Sequence, residues 1–183
     1  MLAFLLTLLA ALTAGVGARD QLLVAWMAER QGAKLGPEFG LLVTAVVVAM
    51  FSAGIAGWVG LLAAPQLEAR ARTYLVAMAL GLAALELVVV RPRRRPAEPT
   101  GSLGALAIVL LAQQLTDAAR LLVFALAASS AVPAFAIAGG MLGCAATAVL
   151  GWSGGAWLEA LPLRRIRAGL GLVLAVIALW LVF

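Results

Sequence analysis

Apolar residues run through this chain in long blocks, and the polar positions that interrupt them fall into a few tight groups. Six blocks reach the roughly 20 mostly apolar residues that a membrane-spanning helix needs at about 1.5 Å per residue. They are Met1 to about Ala28, about Pro37 to Leu62, about Thr73 to Val90, about Leu103 to Ala128, about Val132 to Leu158 and about Ile166 to Phe183. The expected fold is an all-α membrane protein of six transmembrane helices. The connecting segments are too short for a soluble domain. The longest, residues 91–101, carries the prolines and charges that stop a helix. It separates residues 1–90 from residues 102–183, which are read as two three-helix units of one integrated transmembrane domain.

Composition strengthens this picture and removes several alternatives. Hydrophobic residues make up 65% of the 183 positions and charged residues 11%, with a mean hydropathy of +1.12. A soluble domain has about 25% charged residues. The chain has no histidine, which excludes Ser-His-Asp, Cys-His and histidine-metal chemistry. Its single cysteine, Cys144, excludes an internal disulfide and a cysteine-based metal cluster and is read as packing. No nucleophile–base pair suggests an enzyme. The net charge of +5 does not point to nucleic acid, because the basic residues sit between apolar runs.

Those basic residues give an orientation. The loops after the first, third and fifth spans hold Arg30, Lys34, Arg91, Arg93, Arg94, Arg95, Arg164, Arg165 and Arg167; the opposite side holds Arg70 and Arg72. Nine against two places the first set in the cytoplasm and both termini outside, in a bacterial inner (plasma) membrane, with 91–101 as a cytoplasmic linker. Trp26, Trp157, Trp58 and Trp180 fall near span ends, where indole favours the interface, and Trp152 is deeper. Met1 to Ala18 also has the apolar run and small-residue end of a signal peptide, but it lacks a positive n-region, and the repeat described next needs it. Pro65, Pro133 and Pro162 read as helix stops, and Glu86 as a side chain that snorkels toward Arg91 or the interface.

The halves resemble each other. A shift of 99 lays Gln21-Leu-Leu-Val24 over Arg120-Leu-Leu-Val123, and a shift of 94 lays Gly57-Trp-Val-Gly60 over Gly151-Trp-Ser-Gly154. Three spans per half is an odd number, so the halves cross the membrane in opposite directions, as in the inverted repeats of many secondary transporters. Gly36 with Gly40, Gly139 with Gly143 and Gly151 with Gly155 have the spacing that lets helices approach closely.

Two polar clusters lie near mid-membrane and correspond under the repeat. The first span carries Gly15-Val-Gly17-Ala-Arg19-Asp20-Gln21, and the fourth Gln113-Gln114-Leu-Thr116-Asp117-Ala-Ala-Arg120. An ionised group at the bilayer centre costs about 2.5–3.5 kcal/mol on insertion scales, so such groups face the bundle interior and pair. On a continuous helix Gln113, Asp117 and Arg120 share a face, as do Thr13, Gly17, Asp20 and Val24, with Arg19 turned about 100° from Asp20. Gly15 and Gly17 are expected to loosen the first span and free backbone carbonyls. Two readings stand: a substrate or ion site between the first and fourth spans, or two neutralised pairs, such as Asp117 with Arg19 and Asp20 with Arg120, that only lock the bundle.

These clusters, the two halves and the central linker resemble the GDT-type cation/proton exchangers, the family that includes the Golgi transmembrane protein 165. That family carries Glu-x-Gly-Asp-[Lys/Arg]-[Ser/Thr], often followed by Gln, in the first helix of each of two inverted three-helix repeats. In the first copy here Gly17, Arg19 and Gln21 fit; Gly15 and Ala18 stand at the Glu and Asp positions and Asp20 at the hydroxyl position. In the second copy Asp117 fits, with Gln114 at the Glu position, Thr116 at the Gly position, Ala118 and Ala119 next, and Arg120 where Gln often follows. The resemblance implies a secondary transporter that exchanges manganese or calcium for protons by alternating access, with no permanently bound cofactor, in the lipid bilayer, a homo-oligomer being compatible with it. It implies Asp117 and Gln114 as metal ligands, Asp20, Gln113 and Thr116 as further donors, and Arg19 and Arg120 as counter-charges. Three of the four family carboxylates are missing, and hard divalent cations want several oxygens including more than one carboxylate. A non-transporting structural or regulatory subunit, or a transporter of changed cargo, is therefore the alternative.

Overall fold

The structure is a computed structural model that describes residues 1–31, 37–90, 102–154, 158 and 160–183, without the side chains of Arg30, Gln31, Pro37 and Glu38. Lys34, Gly36, the 91–101 linker, Gly155 and Trp157 lie outside the described residues. The described residues are mostly helical, with no strand among them. The elements are α1 (Leu2–Gly15), α2 (Arg19–Gln31), α3 (Pro37–Ala63), a short 3-10 turn (Ala64–Gln66), α4 (Ala69–Val89), α5 (Leu103–Gln114), α6 (Ala118–Ser129), α7 (Pro133–Ser153) and α8 (Leu163–Val182).

Four helices are long and apolar enough to cross a membrane: those over Phe39–Gln66, Ala69–Val89, Pro133–Ser153 and Leu163–Val182. The first and fourth expected spans are each broken. Leu2–Gly15 and Arg19–Glu29 meet at 63°, and Leu103–Gln114 and Ala118–Ser129 meet at 61°. Counting each bent pair as one span gives six crossings.

Each break has a local cause. Gly17 sits at φ +71°, a left-handed conformation that glycine adopts without a Cβ penalty. The fourth span has no glycine at its break. There Asp117 adopts the extended backbone of an N-cap (φ −78°, ψ 142°), but its carboxylate makes no cap hydrogen bond and is taken by Arg120 instead. Pro133 begins α7 and Pro162 caps α8, so both prolines start helices, where a missing N–H costs nothing.

Small residues hold the bundle together. The α6 segment packs on α1, α3, α4 and α7, and its buried face is largely alanine, including Ala118, Ala119, Ala125 and Ala128. Gly143 faces α1 so closely that a Cβ there would meet Leu8 O at 2.6 Å and Ala11 Cβ at 2.9 Å, and Gly139 meets Phe4 O the same way. A Cβ added to Gly60 would meet Phe124 O of α6 at 2.5 Å. Close backbone approach through small residues is how helices associate where lipid removes the hydrophobic drive between them. The opposite surfaces are apolar and exposed, as with Val43, Val47 and Phe51 on α3 and Leu172, Val176 and Leu179 on α8. Such a surface suits acyl chains and defines a multi-pass membrane protein.

Candidate functional site

The two breaks bring the polar clusters together. Asp20 stands in the first turn of α2, Gln114 ends α5, Asp117 caps α6 and Arg120 lies in the first turn of α6. A helix N-terminus favours carboxylates and disfavours cations. Arg120 is accordingly held by side chains. Its Nη1 lies 2.6 Å from Asp117 Oδ2 and 3.3 Å from Asp20 Oδ2, and its Nε donates to Ser52 Oγ at 3.1 Å. Ser52 Oγ donates to Gln114 Oε1 at 2.7 Å, and Gln114 Nε2 donates to Asp20 Oδ2 at 2.8 Å. Asp20, Arg120, Ser52 and Gln114 thus form a ring closed by three hydrogen bonds and one ion pair, with Asp117 attached at Arg120. It ties both broken spans to α3. Arg120 is 3% exposed, and its Nη2 has no hydrogen-bond partner.

Across the first break lies a plainer arrangement. Gly17 N donates to Gln21 Oε1 at 2.7 Å, which supplies one amide that the break frees. Gln21 Nε2 donates to Thr147 O at 3.2 Å, and Thr147 Oγ1 donates to Cys144 O at 2.7 Å. Gly15 packs against the Thr147 side chain.

A second buried pair stands apart from the ring. Arg167 Nη2 donates to both carboxylate oxygens of Glu86, at 2.8 and 2.9 Å, and Arg167 Nη1 reaches Val16 O at 3.4 Å. The pair therefore links α4 and α8 to the first break. Glu86 does not reach for the interface; it is 8% exposed and Arg167 is 2% exposed, while Arg91 lies outside the described residues.

The candidate residues separate into two groups. Asp117, Asp20, Gln114 and Arg120 meet in the ring. Gln113 does not join it, because the break at Leu115 ends the continuous face on which it would align with Asp117 and Arg120; its Oε1 is buried without a hydrogen-bond partner. Thr116 is exposed and, with Arg19 and Glu86, lines a separate cavity of about 330 Å³ beside α4. Arg19 makes no ion pair among the described residues. Of the two pairings expected, Asp20 with Arg120 forms and Asp117 with Arg19 does not; Asp117 pairs with Arg120, one turn along. Gly17 makes the turn of the first break and Gly15 ends α1. Ser52 is the residue that sequence reasoning misses. Its only signal is a hydroxyl in the middle of the apolar α3 run.

A cavity of about 200 Å³ opens beside the ring, lined by Ser52, Gln114 and Arg120 and by apolar side chains such as Ile55 and Phe124. Among the described residues no group of three or more His, Cys, Asp or Glu is placed to hold a metal ion. The arrangement defines a class: an all-helical, multi-pass membrane protein with two bent helix pairs and a ring of polar and charged side chains where they meet. Comparison with protein families, with curated proteins and with solved structures finds no match for this chain.

Proposed function

We propose that this chain is a secondary transporter for cations, coupled to protons, whose site is the ring formed where the first and fourth spans break. One observation carries the reading: the two breaks share one register. The three residues Val16–Ala18 separate α1 from α2, and Leu115–Asp117 separate α5 from α6, so each boundary is displaced by 99, the shift that aligns the two halves in sequence. Broken helices at matching positions of two halves, with polar groups at the breaks, are the architecture of transporter sites.

Packing supports the same relation. The contacts of α3 with α6 correspond to those of α7 with α2, and those of α1 with α7 to those of α5 with α3. Ser52 meets Gln114 and Arg120, while Thr147 meets Gly15 and Gln21, the residues 99 positions earlier. The halves act as two inverted three-helix repeats that rock about the ring. Asp117 and Asp20 carry the exchangeable charge, Gln114 and Ser52 position it, and Arg120 is its counter-charge. With Arg167 buried against Glu86, a bias of eight basic residues against two still favours an inner membrane with both termini outside. The resemblance to GDT-type exchangers alone implies manganese or calcium as cargo, and three of that family's four carboxylates are missing here.

Flux in proteoliposomes tests this reading. Gradients of potassium, sodium, manganese or calcium are imposed in turn, and proton movement is recorded for the wild type and Asp117→Asn. At least one cation drives protons in the wild type, and the effect is lost in the folded variant. Wild-type flux in Asp117→Asn would refute the assignment. The closed ring also favours a second reading, a bundle that is locked and does not transport, which predicts no flux with any cation.

A further inference from the structure

We propose that the Arg120 guanidinium is a tethered cation that stands where a divalent cargo would be bound, so that the ring accepts one mobile positive charge, a proton or a monovalent cation, and rejects manganese and calcium. This rests on the transport reading of the same ring.

The oxygens that would ligate a cation already point at Arg120. Asp117 Oδ2 and Asp20 Oδ2 both face Nη1, Ser52 Oγ accepts from Nε, and Gln114 Oε1 is one hydrogen bond further out. A hard divalent cation takes six or more oxygens, with carboxylates among them. To reach both carboxylates it must take the space the guanidinium fills. Charge gives the same answer. Two carboxylates and one guanidinium sum to −1. One added positive charge neutralises the ring, whereas a divalent ion leaves an excess positive charge in a buried site, where repulsion is weakly screened. The cavity of about 200 Å³ lined by Ser52, Gln114 and Arg120 lies directly beside the ring and gives a small monovalent species room next to it.

Manganese binding to the purified full-length protein in detergent tests the inference, read as loss of the free-ion electron paramagnetic resonance signal. The wild type shows no saturable binding below about 1 mM. Arg120→Gln and Arg120→Met, which remove the charge and leave both carboxylates, bind at least about 100-fold more tightly than that limit, the direction and scale that loss of a nearby like charge gives. Arg120→Lys keeps the charge and behaves as the wild type. If neither charge-removing variant folds, Ser52→Ala, which removes the acceptor at Nε and the donor to Gln114 and so frees the guanidinium to turn away from the carboxylates, shows a smaller gain in the same direction.

Tight manganese binding by the wild type overturns the inference, as does a folded charge-removing variant, or failing both of them Ser52→Ala, that gains nothing. The transport reading is separable. Manganese-driven proton flux in the wild type overturns the inference and leaves that reading standing. A gain of binding in Arg120→Gln without flux from any cation in the wild type leaves the tethered cation standing and removes the transport.

Discussion

Replacing Glu86 by Gln leaves Arg167 buried and almost alone. The native pair is bidentate at 2.8 and 2.9 Å and nearly free of solvent. In the variant an amide group faces the guanidinium with one acceptor and two donors. Arg167 Nε already lacks a hydrogen-bond partner, and Nη1 has only the 3.4 Å contact with Val16 O. Removing one partner of a buried ion pair costs about 3–5 kcal/mol, because the other charge stays desolvated without compensation. Replacing both partners by apolar residues of similar size is about neutral. Glu86→Gln therefore unfolds at lower SDS fraction in mixed micelles, by about 3–5 kcal/mol, and Glu86→Leu with Arg167→Leu recovers most of the loss. Because Arg167 also holds Val16 O, the single variant speeds hydrogen exchange at the amides of Gly17 and Ala18. A single variant within about 1 kcal/mol of the wild type, or a double variant no better than the single one, would refute the argument that desolvation dominates at this pair.

Gly143→Ala forces a Cβ against Leu8 O at 2.6 Å and costs about 1–3 kcal/mol in the same titration, whereas Gly81→Ala meets nothing within 4 Å and gains up to about 1 kcal/mol from helix propensity; equal effects would contradict the packing account. Gly17→Ala places an L side chain at φ +71° and costs about 1–2 kcal/mol, with Leu163 only 3.0 Å from the new carbon; an unchanged midpoint would show that the first break does not depend on that conformation. Cys144 is buried at 0% exposure, so a bulky maleimide labels it only after denaturation, and labelling of the native protein at the denatured rate would contradict its position in the core.

The spans were legible because their signal is composition over some twenty residues, which needs no partner. The close approach at Gly139 and Gly143 was legible for a related reason: four-residue spacing places both on one helix face. The first break announced itself through Gly15 and Gly17. The second did not, because Gln114-Leu-Thr-Asp117 contains no glycine or proline, and Asp117 acts as an N-cap only once the chain has turned. Reading the fourth span as continuous then put Gln113, and not Gln114, on the face of Asp117. Pairing across long separations was not legible at all. Glu86 and Arg167 are 81 residues apart, and at the sequence level Arg167 belonged to the inner-loop charges with Arg164 and Arg165. Ser52 was invisible for the same reason: its place in the ring is fixed by α3 packing on α6.

The two breaks differ in what fills them, and this difference can be measured. At the second break the space between spans holds charge and hydrogen bonds, through Gln114, Ser52 and Arg120. At the first break Gly15 offers no side chain, and Thr147 fills the space. A Cβ on Gly15 would meet Thr147 Cγ2 at 2.6 Å and Oγ1 at 3.1 Å. Thr147 has little freedom to turn away, because its hydroxyl is held on Cys144 O at 2.7 Å. Gly15→Ala should therefore cost about 1–3 kcal/mol as an overpacked contact. Thr147→Ser removes the offending methyl, keeps the hydroxyl bond and costs about 1 kcal/mol alone. Together the two changes exchange one methyl for another across the same gap, so the double variant should sit near the wild type, with a coupling of at least about 1 kcal/mol. Additive losses would mean that Gly15 is fixed by its own backbone and that Thr147 merely lies nearby. Strong coupling would mean that packing against Thr147 is what keeps position 15 without a side chain, whereas its counterpart Gln114 is kept by its hydrogen bonds to Ser52 and Asp20.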